Sequence, residues 1–232
     1  MTLHVGFLVF PSVQQLDVTA PYEVFASSPE TKVHLIWKNQ APVISSTGFP
    51  LTPTTMFSDC PALDVFCVPG GVGVNALLED GETLAFVRAC AERASYVTAV
   101  CTGSLVLGAA GLLRGKRATT HWFSHDFLKR FGAVPVHDRV VRDGSLITAG
   151  GVTAGVDFAL TVLADLIGRE QAEAVQLALE YAPAPPFQAG SPDTAPPAVV
   201  AIAKARMSAS RAAREAIIER LAQARVVTPR QR

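Results

Sequence analysis

No apolar run in these 232 residues reaches the length of about 18 that a membrane-crossing helix needs. The apolar stretch within residues 1–13 has no Lys or Arg ahead of it and no small-residue cleavage pattern. Neither export nor membrane insertion is expected. The four cysteines, Cys60, Cys67, Cys90 and Cys101, form no CxxC pair, and a chain this long needs no disulfides for stability. A reduced, cytoplasmic protein is expected. There is no Walker or dinucleotide fingerprint, because GGVGVN (70–75) is glycine-rich but lacks the Lys-Ser/Thr of a phosphate loop. HExxH is absent too, and His121 and His125, four apart, have no Cys pair or obvious third ligand beside them, so no metal is expected. Net charge is missing as well. Twenty Lys plus Arg balance twenty Asp plus Glu, which leaves no overall field to draw in nucleic acid or an anionic membrane.

What is present suffices for a full core. Apolar residues make up 49% of the chain, charged residues 17% and aromatics 7%, which excludes a disordered or collagen-like polymer. The charge is unevenly placed: residues 199–232 hold eight basic and two acidic residues, so the preceding 198 carry an equal negative surplus. Tail and body should attract each other.

LHVGFLVF (3–10) is a short continuous apolar run, the pattern of a strand covered on both faces. VHLIWK (33–38), DVFCVPGG (64–71), YVTAVC (96–101) and GSLITAGG (144–151) repeat the theme, mostly separated by segments with helical spacing. ETLAFVRACAERA (82–94) puts Leu84, Val87, Ala91 and Ala94 on one stripe, and GSLVLGAAGLL (103–113), apolar nearly all round, must be a buried helix. Strands joined through helices are most simply parallel, which predicts an α/β fold: an open, mostly parallel sheet flanked by helices on both faces, with ligands at the strands' carboxyl ends. RDGS (142–145) predicts a hairpin adding a peripheral antiparallel pair. The organisation expected is an α/β domain over 1–180, a proline-rich extended segment over 181–198, and a basic helix over 199–232 packed on the body or on a dimer mate.

The most informative stretch is YVTAVCTGSLVLGAAGLL (96–113), where a buried strand ends at Cys101 and a helix begins almost at once. Unpaired amides and the positive end of a helix dipole there would favour a thiolate, the attacking species. Gly103 permits close backbone approach, and Thr102 and Ser104 offer hydroxyls to the same space. The plain alternative is that Cys101 is a small core residue, as Cys67 and Cys90 are expected to be. Two readings are likewise open for Asp17, which lies between the first strand and a helix: an N-cap, or a carboxylate brought to the thiol to move protons. The amides of Gly70 and Gly71 in PGG, and that of Val152 in GGVTAG (150–155), are candidates to face an anion or the sulfur, the competing reading being ordinary turns. His4 and His34 lie in strand-like runs and are expected to be structural, while His121 and His125 begin a helix that approaches the sheet's carboxyl end.

GFLVFPSVQQLDVTAPYEVFA, DVFCVPGG, AVCTGSLVLGAAGLLRGKRATTHW and GGVTAGVDFAL together resemble the ThiJ/PfpI family, single-domain relatives of the class I glutamine amidotransferases, over about residues 3–180. The resemblance implies a flavodoxin-like sheet and a homodimer. It also implies Cys101 as nucleophile, Asp17 as its acidic partner where many relatives carry Glu, and Gly71 and Thr102 lining the pocket. Family peptidases have a His directly after the cysteine. Thr102 stands there in this chain, so peptidase activity is not expected, and no downstream His and Glu complete an amidotransferase triad. EYAPAPPFQAGSPDTAP extends the likeness to family members that hydrate isocyanides. The activity implied is addition of water to a small-molecule isocyanide, giving an N-substituted formamide, with Cys101, Asp17 and Thr102 catalytic, the last by positioning water, with Gly70, Gly71, Val152 and His121 at the substrate, and with no cofactor. Two alternatives stand beside it: a redox sensor or protective protein in which Cys101 is oxidised, and a ligand-sensing module such as those preceding helix-turn-helix regions in transcriptional regulators. The basic tail is too short for such a reader domain, and no nucleic-acid or membrane partner is expected.

Overall fold

The computed structural model describes residues 2–227. Strand β1 (Leu3–Leu8) is buried from Val5 onward, as its unbroken apolar run demands, and leads through a short loop into α1 (Gln15–Ala26). β2 (Thr31–Trp37) is followed by a small antiparallel pair, β3 (Val43–Ile44) with β4 (Pro50–Leu51), and by the short β5 (Thr55–Met56). β6 (Val65–Val68) is wholly buried, and α2 (Val74–Leu77) and α3 (Gly81–Ala91) come after it. Asp80 caps α3 by accepting the Thr83 N–H at 3.2 Å. β7 (Tyr96–Val100) and α4 (Gly103–Ala109) make the sharp strand-to-helix turn, and β8 (Arg117–Ala118) pairs with β9 (Val134–Pro135) beyond a 3-10 run, Trp122–Phe131. The hairpin of β10 (Val140–Asp143) and β11 (Leu146–Ala149) precedes α5 (Ala154–Ile167), α6 (Arg169–Ala178) and α7 (Pro197–Val227).

Seven strands form one sheet in the order β10-β11-β7-β6-β1-β2-β5, parallel except for the edge strand β10. This is the flavodoxin-like α/β architecture expected. The antiparallel edge is the hairpin that RDGS announced, Asp143 pairing with Leu146 across Gly144 and Ser145. α1 and α5 pack together on the sheet, where Gly155 lets Pro21 come close: a Cβ there would stand 3.0 Å from Pro21 Cδ. α4 packs on β6 and β7, beside α2 and α3. From β1 the chain runs outward to β2 on one side and to β6 and β7 on the other, so the loops after β1, β6, β7 and β11 open onto one crevice.

Several details differ from the periodic reading. The stripe α3 buries is Thr83, Val87 and Cys90, and Ala94 falls outside the helix. α4 stops at Ala109, short of residue 113, though Gly103–Gly108 are all buried as expected. His4 and His34 are structural: Nδ1 of one lies 2.9 Å from Nε2 of the other, and His34 also reaches Thr55 Oγ1 at 3.2 Å, which ties β1, β2 and β5 together. Residues 182–196 hold neither helix nor strand and are largely exposed. Pro197, with no N–H to lose, opens α7 two residues earlier than expected, and residues 228–232 of the expected helix lie outside the described residues.

α7 lies on α2 and the 3-10 run. Arg211 forks onto Asp126 (2.9 and 2.7 Å), Arg220 onto Glu79 (3.1 and 3.0 Å), and Ile218 is buried beneath them. The tail's charge therefore does meet the body's. Among the described residues no helix is long and apolar enough to cross a membrane.

Candidate active site

Between β7 and α4 only Cys101 and Thr102 intervene, so the backbone must reverse within two residues. Cys101 adopts φ 55°, a region a side chain rarely occupies, and the surroundings hold it there. Its N–H is bonded to Gly150 O at 2.8 Å, and its C=O accepts the Thr120 hydroxyl at 2.7 Å and the Ser104 hydroxyl at 3.3 Å. Ser104 thus braces the turn from within and does not offer its hydroxyl to the crevice, as the sequence had suggested. Gly103 is required because any Cβ would collide with the Val68 carbonyl.

Asp17 is not an N-cap. The cap position is Gln14, and Asp17 sits inside the first turn of α1, fully buried. Its Oδ2 accepts the Gly70 N–H at 2.8 Å, while Oδ1 has no hydrogen-bond partner of ordinary geometry and is the oxygen left to carry a proton. Burial pushes the carboxyl up to about 7, against the opposing pull of the Gly70 amide and of the neighbouring Cys101 thiol.

The thiolate expectation needs correction. Burial raises the Cys101 thiol well above its ordinary value and the Asp17 charge raises it further, outweighing the Thr102 and Val152 amides and the Arg214 guanidinium that pull it down. Around neutral pH the pair is a thiol beside a carboxyl close to its own midpoint. The sequence shows the amides and the helix start but not the depth of burial, which decides the sign.

The Gly70 and Gly71 amides also serve differently from the anion-facing role expected. Gly70 donates to Asp17 and is absent from the cavity wall, and Gly71 donates to Thr102 Oγ1 at 3.1 Å while its backbone does line the cavity. Gly71 has φ 126°, a glycine conformation. Thr102, Val152 and His121 all line a cavity of about 210 Å³ with Cys101 at its wall. His121 is held neutral, its pKa lowered to about 4 first by burial and then by the Arg214 charge. His125 does not join it: Trp122–Phe131 is a 3-10 run, so residues four apart do not share a face, and His125 turns to Val136 O at 2.9 Å and stacks on His137. Among the described residues no cluster of three or more His, Cys, Asp or Glu is arranged to hold a metal ion.

Sequence reasoning missed one wall altogether. Met207, Ser210 and Arg214 of α7 close the cavity over Cys101. The signal was the row Met207, Ser210, Arg214, Ile218, Leu221, a helix face that buries Ile218 and contains an arginine where an apolar residue is usual.

A thiol on a strained strand-to-helix turn, a buried carboxyl from the first turn of α1, and amides from the loops after β6 and β11 converge at one sheet end. Residues 4–165 match the DJ-1/PfpI family. The chain belongs to that family. The DJ-1/PfpI match takes in Asp17, Cys101 and Val152 and stops before α7. A relative from Pseudomonas putida, isonitrile hydratase, is 64% identical over 222 residues, covering 96% of this chain and 97% of that one, so its likeness extends into the α7 region. A solved ThiJ/PfpI family protein from Pseudomonas syringae superposes with a TM-score of 0.91 at 42% identity, covering 94% of this chain and 91% of that one. The HTH-type transcriptional regulator GbdR of Pseudomonas aeruginosa is 28% identical over 179 residues, 74% of this chain but 48% of the regulator.

Proposed function

We propose that this chain hydrates isocyanides, R–N≡C, to N-substituted formamides, with Cys101 as nucleophile and Asp17 as general acid and base. The observation that carries the reading is the buried Cys101 thiol at the cavity wall with the fully buried Asp17 beside it, a carboxyl brought to about 7 that can give and take the proton the sulfur exchanges. The likeness to the isonitrile hydratase supplies the substrate class.

The terminal carbon of an isocyanide accepts a soft nucleophile. As the sulfur bonds to that carbon, the thiol proton passes to Asp17 Oδ1 and from there to the carbon, giving the thioimidate R–N=CH–S–Cys101. Water then adds to the same carbon, Asp17 taking one of its two protons and the nitrogen the other, which leaves R–NH–CH(O−)–S–Cys101. The C–S bond breaks, R–NH–CHO leaves, and the sulfur regains its proton from Asp17. Water is the only other reactant, and the enzyme returns unchanged. The amides of Thr102 and Val152 steady the sulfur whenever it carries charge. Thr102 Oγ1 fixes Gly71 and so the wall where water and substrate sit.

The redox-sensor alternative needs an exposed thiolate, whereas this sulfur is buried and held protonated. Against the regulator alternative, Arg211, Arg214 and Arg220 of the basic helix are turned onto the chain's own body. The resemblance further implies a homodimer, which sedimentation of the purified chain tests. The function is tested by supplying an alkyl isocyanide and following the formyl product by proton NMR. Formamide at a rate proportional to enzyme is expected, and its absence would sink the reading.

A further inference from the structure

Arg214 is 5% exposed, yet among the described residues no carboxylate is in ion-pair contact with it. Its hydrogen bonds go to neutral groups alone: Nε to Asn75 Oδ1 at 2.9 Å, Nη1 to Ser124 Oγ at 3.0 Å and Nη2 to Ser210 Oγ at 3.4 Å. A guanidinium taken out of water without an opposite charge is costly, so its placement calls for a counter-charge close by. Arg214 lines the same cavity as Cys101.

The charged and titratable groups around it can be named element by element. The turn after β7 presents Cys101, with Asp17 of α1 behind it, and the start of the 3-10 run presents His121. On α7 itself, Arg211 is neutralised by Asp126 of the 3-10 run, and Arg206 also lines the cavity. α2 contributes the neutral Asn75, and the nearby Glu79 is already paired with Arg220. Glu215, next to Arg214 on α7, is exposed and acts on Arg211, so within the cavity the negative charge that Arg214 meets is the one on the Cys101 and Asp17 pair.

We propose that Arg214 is a positioning residue for the reactive pair: its guanidinium, anchored by Asn75 and Ser124, balances the single negative charge shared by Cys101 and Asp17, which makes α7 part of the active site. The same charge steadies the sulfur whenever it is ionised, before it attacks and again when the C–S bond breaks. It adds to burial, the larger cause, in keeping His121 neutral. Arg214 lies outside the span matched to the family, so this device belongs to chains that carry α7.

The inference deepens the proposed function but is tested without an isocyanide. Iodoacetamide alkylation of Cys101 in the full chain, read by peptide mass mapping across pH 5–10, follows the rising limb of its thiolate fraction, and the midpoint is obtained by extrapolating that limb because burial raises the thiol well above its ordinary value. Removing the positive charge in Arg214→Gln makes proton loss harder. The midpoint for Cys101 should therefore rise by about one pH unit, which is about a tenfold slower alkylation on the rising limb. Arg214→Lys keeps the charge and should bring the midpoint back to within about 0.3 of the starting value. A purely structural role would lower the melting temperature of Arg214→Gln and leave the midpoint where it was. Should Arg214→Gln not fold, Arg214→Met, which keeps an unbranched stem, takes its place with the same expectation. A folded Gln or Met variant with an unmoved midpoint overturns the proposal, whatever the formamide assay has shown.

Discussion

Asp17→Asn tests the buried carboxyl in two opposite directions at once. Asn keeps the shape and an oxygen to accept the Gly70 N–H, but it cannot ionise or pass a proton. In the fold Asp17 titrates near 7, against 3.8 for the open chain, so the native state holds a proton that the unfolded state has lost. The sign follows directly. Stability from this group is fully present below about pH 4, falls as pH rises through the interval, and is gone above about 7. The gap corresponds to about 4 kcal/mol as an upper value, part of it shared with the Cys101 proton. The variant should therefore match the parent at pH 4 and exceed it by as much as about 4 kcal/mol at pH 8, a rise in melting temperature of roughly 10 °C for a chain this size. Taking the difference between the two proteins also cancels His121, whose pKa near 4 makes stability rise with pH between about 4 and 6.5. Formamide production should meanwhile fall by about 10²–10⁴-fold. Urea unfolding at four pH values supplies the stability, and NMR of the formyl proton supplies the rate. A pH-independent stability difference would refute the raised carboxyl, and with it the proton path through Oδ1.

The remaining predictions concern the walls of the site. In Gly70→Ala the new Cβ would stand 2.6 Å from Thr102 N and 2.9 Å from Asp17 Oδ2, so kcat should fall about ten- to a hundredfold with a smaller change in KM, read by steady-state kinetics. His121 should show no titration between pH 5.5 and 8 when its ring protons are followed by NMR; a midpoint near 6.5 would contradict its burial beside Arg214. α7 should be held by burial more than by surface charge. Ile218→Ala is expected to cost about 2–4 kcal/mol, while Arg220→Ala, which removes the half-exposed pair with Glu79, costs less than about 1 kcal/mol in thermal melts.

The sheet was legible because burial on both faces leaves an unbroken apolar run, as in LHVGFLVF and VFCV, and because a strand that passes straight into a helix, as at Cys101, needs glycine next to it. RDGS revealed the antiparallel edge through its turn chemistry. Local pattern failed where the deciding partner is remote in sequence. The protonation of Cys101 depends on how deeply the fold buries it and on Asp17, which is remote in sequence on α1, and no window around residue 101 contains either fact. Gly70 and Gly71 read as a free amide pair until Asp17 and Thr102 take them up. Trp122–Phe131 departs from the 3.6-residue period, so His121 lines the Cys101 cavity without His125, while both border a neighbouring hollow. Arg214 was visible as a residue out of place on the buried face of α7, but its meaning depends on Asn75 and Ser124, which come from two other segments.

The account stands or falls on a bond between the Cys101 sulfur and the isocyanide carbon. Acid-quenched samples from the first turnovers, mixed with a carbon-13 isocyanide, should carry one substrate mass on the peptide containing Cys101 ahead of labelled formamide, and Cys101→Ala should form neither adduct nor formamide while still folding. Formamide released by Cys101→Ala at the parent rate would contradict the account.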